Sequence, residues 1–281
     1  MTGEPLLRVA LDAAYGNKPV LRGIRFELQQ GEVLGLVGTS GAGKSTLVQA
    51  LMGLLPWRGG SVRGEVLLRG ENLLQLSEGR LRAFRGRKIA LIPQSPTAAL
   101  NPAISLERHF REAWNAHVAG DRQGCDARVK DLLAKVQLPQ DREFLRRRPG
   151  QISVGQAQRI LIALALLHGP ELIIADEPTS SLDPVTQSQI VELLRALNRE
   201  LGATLLYISH DFVSVLQLAD RIAVLDGGTI VECLPVDGIS EAHHEATRAL
   251  VRALPAPPEV LLQFREKKHF RGDSKESMSY L

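Results

Sequence analysis

Apolar and polar positions follow two rhythms along this chain. Ile24 to Leu28 alternates, Gln30-Gly31 supplies a turn, and Val33-Leu34-Gly35-Leu36-Val37 is a near-continuous apolar run. The first pattern predicts a half-buried strand and the second a strand covered on both faces. The apolar run leads into a glycine-rich stretch, Gly38 to Gly43. A helix is predicted from near Lys44, with Leu47, Ala50, Leu51 and Leu54 on one face. Gly64 to Arg69 and Lys88 to Ile92 read as further strands.

From about Ala98 to Gln158 the period becomes helical. Leu106, Phe110, Trp114 and Val118 form one i, i+4 stripe, and Val129, Leu132, Leu133 and Val136 form another. Asn101-Pro102 and Arg148-Pro149-Gly150 bracket this segment as loops. Strands and helices then alternate again. Leu172 to Ala175 and Thr204 to Ile208 are buried strands, and Ile190, Leu193, Leu194 and Leu197 line a helix face between them. Ile222 to Leu225, Asp226-Gly227-Gly228 and Thr229 to Glu232 make a hairpin. This alternation predicts an α/β fold with a mostly parallel sheet and a ligand site at the carboxyl ends of its strands. Glu241 to Leu254 reads as one amphipathic helix stopped by Pro255 to Pro258, and Arg265 to Leu281 as a polar, mobile tail.

Composition narrows the possibilities. Of 281 residues, 44% are hydrophobic and 23% charged, as in folded globular chains, and only 4% are aromatic, so the core must be mostly aliphatic. Lys+Arg 34 against Asp+Glu 31 gives +3, too balanced to mark a nucleic-acid binder. The basic run Arg80, Arg82, Arg85, Arg87 and Lys88 has only Phe84 as an aromatic neighbour, so it reads as a solvated face rather than a stacking platform. The longest apolar run, Ile160 to Leu167, is far short of the ~20 residues that span a bilayer. Met1 to Pro5 has neither a basic nor an apolar leader character. Two cysteines, Cys125 and Cys233, make no disulfide framework and no CxxC zinc module. The expectation is a cytoplasmic protein that reaches a membrane only through a partner.

Two constellations carry chemistry. Gly38-Thr39-Ser40-Gly41-Ala42-Gly43-Lys44-Ser45 fits G-x-x-x-x-G-K-[ST] between an apolar strand and an apolar-striped helix. Without Cβ atoms, Gly41 and Gly43 let backbone N–H groups curl around phosphate oxygens, and the helix N-terminus adds partial positive charge. Lys44 would reach the β- and γ-phosphates, and the Ser45 hydroxyl would sit on Mg²⁺. A dinucleotide fingerprint fits less well, because Lys44-Ser45-Thr46 stands where its third glycine should fall. The nearest approach to a guanine-specificity motif, Asn17-Lys18-Pro19-Val20, lacks the acid and lies upstream of the loop. Second, Leu172-Ile173-Ile174-Ala175-Asp176-Glu177 puts two carboxylates at a strand end. There Asp176 can hold Mg²⁺ through water, and Glu177 can orient and deprotonate a water that attacks the γ-phosphate. His210, just past Thr204 to Ile208, falls on the same sheet edge and could bond the γ-phosphate and that water. His243-His244 lacks helical metal-ligand spacing and reads as a solvated helix start.

In this order, the parts resemble the ATP-binding subunit of ABC transporters over roughly residues 6–255. The resemblance implies a P-loop NTPase core with an antiparallel β subdomain and an inserted α-helical subdomain. The core would span 1–97 and 160–240 and the insertion 98–159, with the C-terminal helix and tail in 241–281. It implies that Tyr15 stacks on adenine and that Gly38, Ser40, Gly41, Gly43, Lys44, Ser45 and Thr46 hold the phosphates. Gln94, in Leu91-Ile92-Pro93-Gln94, would touch Mg²⁺ together with Ser45 and Asp176. Ile152-Ser153-Val154-Gly155-Gln156 resembles the family signature, in which Ser153, Gly155 and Gln156 bind the γ-phosphate held by an opposing subunit. Ser180-Ser181-Leu182-Asp183 resembles the loop between the two active sites, and His210 the switch histidine. Glu177, His210 and Lys44 would be the catalytic set.

Within the family the resemblance is closest to importers of oligopeptides, dipeptides and nickel. It rests on Ala99-Leu100-Asn101-Pro102 soon after Gln94 and on His244-Glu245-Ala246-Thr247-Arg248-Ala249-Leu250, where Glu245-Ala246 replaces the family's usual Pro-Tyr. The implied assembly is this chain, a second ATPase that is a paralogue, two membrane-spanning permease subunits and, indirectly, an extracytoplasmic solute-binding protein. It would work at the cytoplasmic face of the membrane, with the segment around Gln94 to Pro102 as the permease contact. No iron–sulfur cluster is expected with Cys233 alone near the C-terminus. An exporter ATPase is the first alternative, and a soluble ABC ATPase acting on nucleic acid the second; the latter needs inserted coiled coils, cysteine-ligated zinc or, for translation-linked forms, tandem cassettes, none of which is seen here. One departure from the family pattern is Val154, where the signature has a glycine. A β-branched residue incurs a steric cost in left-handed backbone and adds bulk beside the phosphate, so the composite site served by this signature is expected to be the weaker one.

Overall fold

The computed structural model describes residues 4–258, 260 and 262; the predicted tail Arg265 to Leu281 lies outside the described residues. The chain opens with strands β1 (Leu7–Tyr15) and β2 (Lys18–Leu28), then β3 (Val33–Val37), helix α1 (Lys44–Leu51), β4 (Gly60–Leu68) and β5 (Glu71–Asn72). Helix α2 (Glu78–Phe84) leads to β6 (Ile89–Ile92). A helical run follows: α3 (Pro96–Ala99), α4 (Leu106–Asn115), α5 (Arg122–Lys135), α6 (Arg142–Arg146) and α7 (Val154–Ala165). The alternating part resumes with β7 (Leu172–Asp176), α8 (Pro184–Leu201), β8 (Thr204–Ile208), α9 (Phe212–Leu218), β9 (Arg221–Asp226), β10 (Thr229–Pro235) and α10 (Glu245–Arg252).

Among the described residues the strands form two sheets. One runs β2-β1-β4-β5 and is antiparallel throughout. The other runs β10-β9-β3-β8-β7-β6, parallel except for the β9–β10 hairpin. The parallel strands are apolar on both faces because both are covered. Leu34 and Leu36 of β3 join a cluster with the antiparallel sheet and α1, while Val33 and Val37 join the helices on the other side. The same split divides Leu206 and Ile208 from Leu205 and Tyr207 on β8. A strand of this kind reads as a continuous run rather than an alternation, which is why it is conspicuous in sequence.

Helix starts follow local chemistry. Ser105, Asp121, Asp141, Ser153, Asp183 and Asp211 each accept a first-turn N–H with the side chain, so α4, α5, α6, α7, α8 and α9 begin where those residues stand. Three expectations need correction. The strand β1 was not anticipated: its Ala10, Ala13 and Ala14 weaken the alternation, and pairing to both β2 and β4 makes it a strand. The stripe ending at Val118 breaks early, because α4 stops at Asn115 and the Val118 amide donates to the Trp114 carbonyl in a closing turn. Glu241 to Leu254 is not one helix. Val236–Glu241 forms a 3₁₀ turn and α10 begins at Glu245, since the Glu232 carboxylate accepts the amides of His243 (2.8 Å) and His244 (3.3 Å) and holds them out of helix.

Candidate functional site

The parallel order β3-β8-β7-β6 places four connections on one edge of the sheet: Gly38 to Gly43 after β3, Ser209-His210 after β8, Glu177 after β7 and Gln94 after β6. Residues far apart in the chain meet there for that reason alone.

Between β3 and α1 the loop turns tightly. Gly41 has φ +82 and Gly43, the N-cap of α1, φ +109. A Cβ on Gly43 would lie 2.6 Å from Leu21 Cδ2, and one on Gly38 only 2.3 Å from the Leu225 carbonyl oxygen. No side chain caps α1 and no acid stands in its first turn, so neither consumes the positive end of the helix. Lys44 is buried and its ammonium spans the loop, donating to the carbonyls of Gly38 (2.8 Å) and Thr39 (3.2 Å).

Glu177 is the meeting point. Its carboxylate accepts from Gln94 Nε2 at 3.2 Å and from His210 Nδ1 at 3.1 Å, and lies 3.8 Å from Lys44 Nζ. The backbone is held at φ +46, a left-handed value uncommon for a residue with a side chain, and its amide donates to the Ile208 carbonyl at 2.8 Å. Ser180 Oγ donates to the Glu177 carbonyl at 3.1 Å. Burial pushes the Asp176 carboxyl above the usual aspartate range, the Glu177 charge pushes it further, and Lys44 opposes both. An acid raised in this way is stabilised by a cation brought beside it.

The sequence therefore predicted Lys44, Gln94, Glu177 and His210 as one site, and the fold brings all four together. Tyr15 ends β1, and its hydroxyl donates to Gln49 Oε1 on α1 at 3.1 Å, which ties the aromatic to the helix that starts at the phosphate-type loop. Ser153, Gly155 and Gln156 behave differently. Ser153 and Gln156 bond each other in a capping box at the start of α7 (3.1 and 3.2 Å). A Cβ on Gly155 would meet Thr186 Cγ2 at 2.8 Å, so this glycine is needed for the close approach of α8. Asp183 caps α8 and also accepts from Thr186 Oγ1 at 2.6 Å, which lowers its pKa. Val154 is the first residue of α7 and is absent from the residues with positive φ, so the expected left-handed strain does not arise. What remains of that argument is bulk: its side chain is 42% exposed beside Ser153.

Several residues that build the site escaped sequence reasoning. Gln49, Gln187 (whose Nε2 donates to the Thr179 carbonyl at 2.9 Å) and the buried Tyr207 belong to no local motif, and Gln49 and Tyr207 meet Tyr15 and Thr179 across long separations. A cavity of about 400 Å³ among α4, α5 and α6, with Arg111, Arg122, Cys125, Lys130 and Arg142 in its wall, shares no residue with the site.

Comparison with known proteins agrees with this geometry. Residues 21–180 match the family model described as "ABC transporter". The chain is 37% identical to the oligopeptide transport ATP-binding protein OppD of Bacillus subtilis over 251 residues, 89% of this chain and 70% of that one. It is 36% identical to the dipeptide transport ATP-binding protein DppD of the same organism, over 89% of this chain and 75% of that one. Among solved structures, cbiO1 of Clostridium perfringens, part of the ABC transporter complex cbiONQ, superposes with a TM-score of 0.74 at 26% identity, covering 95% of this chain and 98% of that one. The dimeric ATP-binding cassette MJ0796, bound to ADP and Pi, superposes at 0.69 and 26% identity over 82% and 98% of the two chains. A phosphate-type loop, an acidic strand end and a histidine turn on one sheet edge, in a chain this similar to those proteins, make it a member of the ABC transporter family and, within it, a nucleotide-binding ATP hydrolase.

Proposed function

We propose that this chain hydrolyses ATP at the Lys44–Glu177 site to power uptake of a peptide or similar small solute by an ABC importer. The observation that carries the mechanism is the convergence of Lys44, Gln94 and His210 on the Glu177 carboxylate. The amides of Gly38, Ser40, Gly41 and Gly43 and the first turn of α1 through Ser45 and Thr46 cradle the phosphates. Lys44 exchanges its loop carbonyls for phosphate oxygens. Tyr15 packs against adenine. Glu177 accepts a proton from the attacking water as that water's oxygen bonds the γ-phosphorus and the bond to the bridging oxygen breaks; His210 orients Glu177 and the γ-phosphate.

Mg²⁺ fits the donor set. Ser45 offers a hydroxyl, Asp176 a carboxylate destabilised by burial, and Gln94 an amide oxygen left over once its Nε2 bonds Glu177. These are hard oxygen donors, and among the described residues no group of three or more His, Cys, Asp or Glu competes with them. When bound, the ion neutralises charge on the β- and γ-oxygens.

Ser153, Gly155 and Gln156 sit at the start of α7, where Ser153 and Gln156 bond each other rather than the phosphate-type loop, which supports a role toward a second cassette. Two chains would close around two nucleotides, each site completed by the partner's signature, and reopen after hydrolysis. We assign residues 98–159 as the helical unit that carries the signature, and 1–97 with 160–240 as the core. Among the described residues no helix is long and apolar enough to cross a membrane. Separate permease subunits, contacted around Gln94 to Pro102, would therefore hold the ATPase at the cytoplasmic face. The relatives named for oligopeptide and dipeptide transport support a peptide-type solute. Glu177→Gln tests the chemistry: ATP turnover should fall by roughly 10²–10⁴ with ATP binding intact, and normal hydrolysis in that variant would remove Glu177 from its role.

A further inference from the structure

Beneath the site lies a polar chain inside an aliphatic core. Tyr207, in the middle of β8, is fully buried; its neighbours in register are Gly35 on β3 and Ala175 on β7. Its hydroxyl donates to Ser214 Oγ on α9 at 3.1 Å, and Thr179 Oγ1 approaches it from the other side at 3.5 Å. Ser214 in turn donates to the Asp211 carbonyl at 2.7 Å and lies 3.4 Å from Ser209 Oγ, which accepts the Asp211 amide at 3.0 Å. With one proton per hydroxyl, the chain runs in a single direction: Thr179 to Tyr207 to Ser214 to the Asp211 carbonyl. Thr179, Ser209 and Ser214 are themselves buried, so none of these groups has water as an easy substitute.

The two ends of this chain are the two loops that carry the chemistry. Thr179 lies two residues past Glu177, in the turn where Ser180 bonds the Glu177 carbonyl and Gln187 bonds the Thr179 carbonyl. Ser209 and Asp211 flank His210, and Asp211 also caps α9 through the Val213 amide at 3.1 Å. A phenylalanine would pack at position 207 equally well. The hydroxyl adds a fixed distance between the Glu177 turn and the His210 turn, and a satisfied buried network of this kind selects one arrangement of the groups it joins.

We propose that Tyr207 is a positioning residue for hydrolysis: through Thr179 on one side and Ser214 on the other, its hydroxyl sets the reach between the Glu177 carboxylate and His210. The inference rests on the ATPase reading of the site. Removing the hydroxyl leaves phosphate and adenine contacts untouched and loosens only the geometry of the acid and the histidine. The loss is therefore in kcat, by about 3- to 30-fold, since displacement of a catalytic group by a fraction of an ångström is enough for that.

The test uses the full-length chain in its working ATPase assembly. Tyr207→Phe should lower kcat by that factor with KM for ATP and nucleotide affinity within about twofold of wild type, and Ser214→Ala should act in the same sense. In a His210→Ala background the further cost of Tyr207→Phe should shrink to less than about twofold, because the Glu177–His210 reach that the hydroxyl sets no longer exists. A merely structural role would move thermal stability and leave the full kcat penalty in that background. Unchanged kcat in Tyr207→Phe, or the same penalty with and without His210, overturns the proposal. Wild-type turnover in His210→Ala alone would instead overturn the reading of the site on which it rests.

Discussion

The three glycines of the phosphate-type loop separate two physical effects that are usually confounded. Gly41 has φ +82 and open space where a Cβ would go; Gly38 has no positive φ, but its Cβ would sit 2.3 Å from the Leu225 carbonyl oxygen; Gly43 has φ +109 and a Cβ position 2.6 Å from Leu21 Cδ2. Gly41→Ala therefore carries backbone strain alone. Left-handed backbone costs a side-chain-bearing residue about 1–2 kcal/mol, partly offset by about 0.4–1 kcal/mol from the stiffer unfolded chain, leaving about 1 kcal/mol of destabilisation. Gly38→Ala carries a clash alone, against backbone that cannot rotate away, and overpacking of that kind costs about 1–3 kcal/mol. Gly43→Ala carries both, at a φ beyond the ordinary left-handed well; the clashing atom is the tip of a flexible leucine, so the sum is about 3–4 kcal/mol. Urea unfolding of the three variants against wild type gives the ranking directly, with midpoints in the order Gly41→Ala, Gly38→Ala, Gly43→Ala from most to least stable. Equal losses at Gly41 and Gly43, or a neutral Gly38→Ala, would refute the reasoning.

The raised Asp176 carboxyl has a stability signature. Its folded pKa lies above its unfolded value, so the chain loses stability as pH rises from below the unfolded aspartate range through the raised value, and recovers it on acidification. Asp176→Asn should therefore be more stable than wild type near pH 7.5 and gain little near pH 3.5; a stability difference identical at both pH values would contradict the assignment. Arg159 is buried on α7 and donates to the Val136 carbonyl (2.9 Å), Gln137 Oε1 (3.1 Å) and Gln189 Oε1 (3.3 Å), tying α5, α7 and α8 together. Arg159→Ala should cost about 1–3 kcal/mol by stranding the carbonyl of buried Val136, while the exposed Gln137 and Gln189 turn to water; a loss under about 1 kcal/mol in denaturant melts would show the bonds to be dispensable. Val154→Gly in the assembled ATPase should raise turnover or nucleotide affinity at the site this signature completes, because it removes exposed bulk beside Ser153; identical rate and affinity would reject that role for the valine.

Much of this protein was legible in one dimension because its strongest signals are local. A strand buried on both faces must be a continuous apolar run, a loop that turns at Gly41 and Gly43 must contain glycine, and an acidic pair after Leu172 to Ala175 must lie at a strand end. The start of α1 at Lys44 was readable because the glycine-rich loop ends there, whereas the C-terminal helix begins at Glu245 rather than Glu241. Only the tertiary structure could decide what long separations bring together. It made a strand of the alanine-rich Leu7–Tyr15 by pairing both its edges, and it split Glu241 to Leu254 because Glu232 captures two amides from a neighbouring strand. It put Val154 at a helix start, where its backbone is relaxed, and placed Tyr207 between the turns that follow Glu177 and His210. No periodicity encodes such contacts, because each depends on where the sheet order sends the chain rather than on the residues next door.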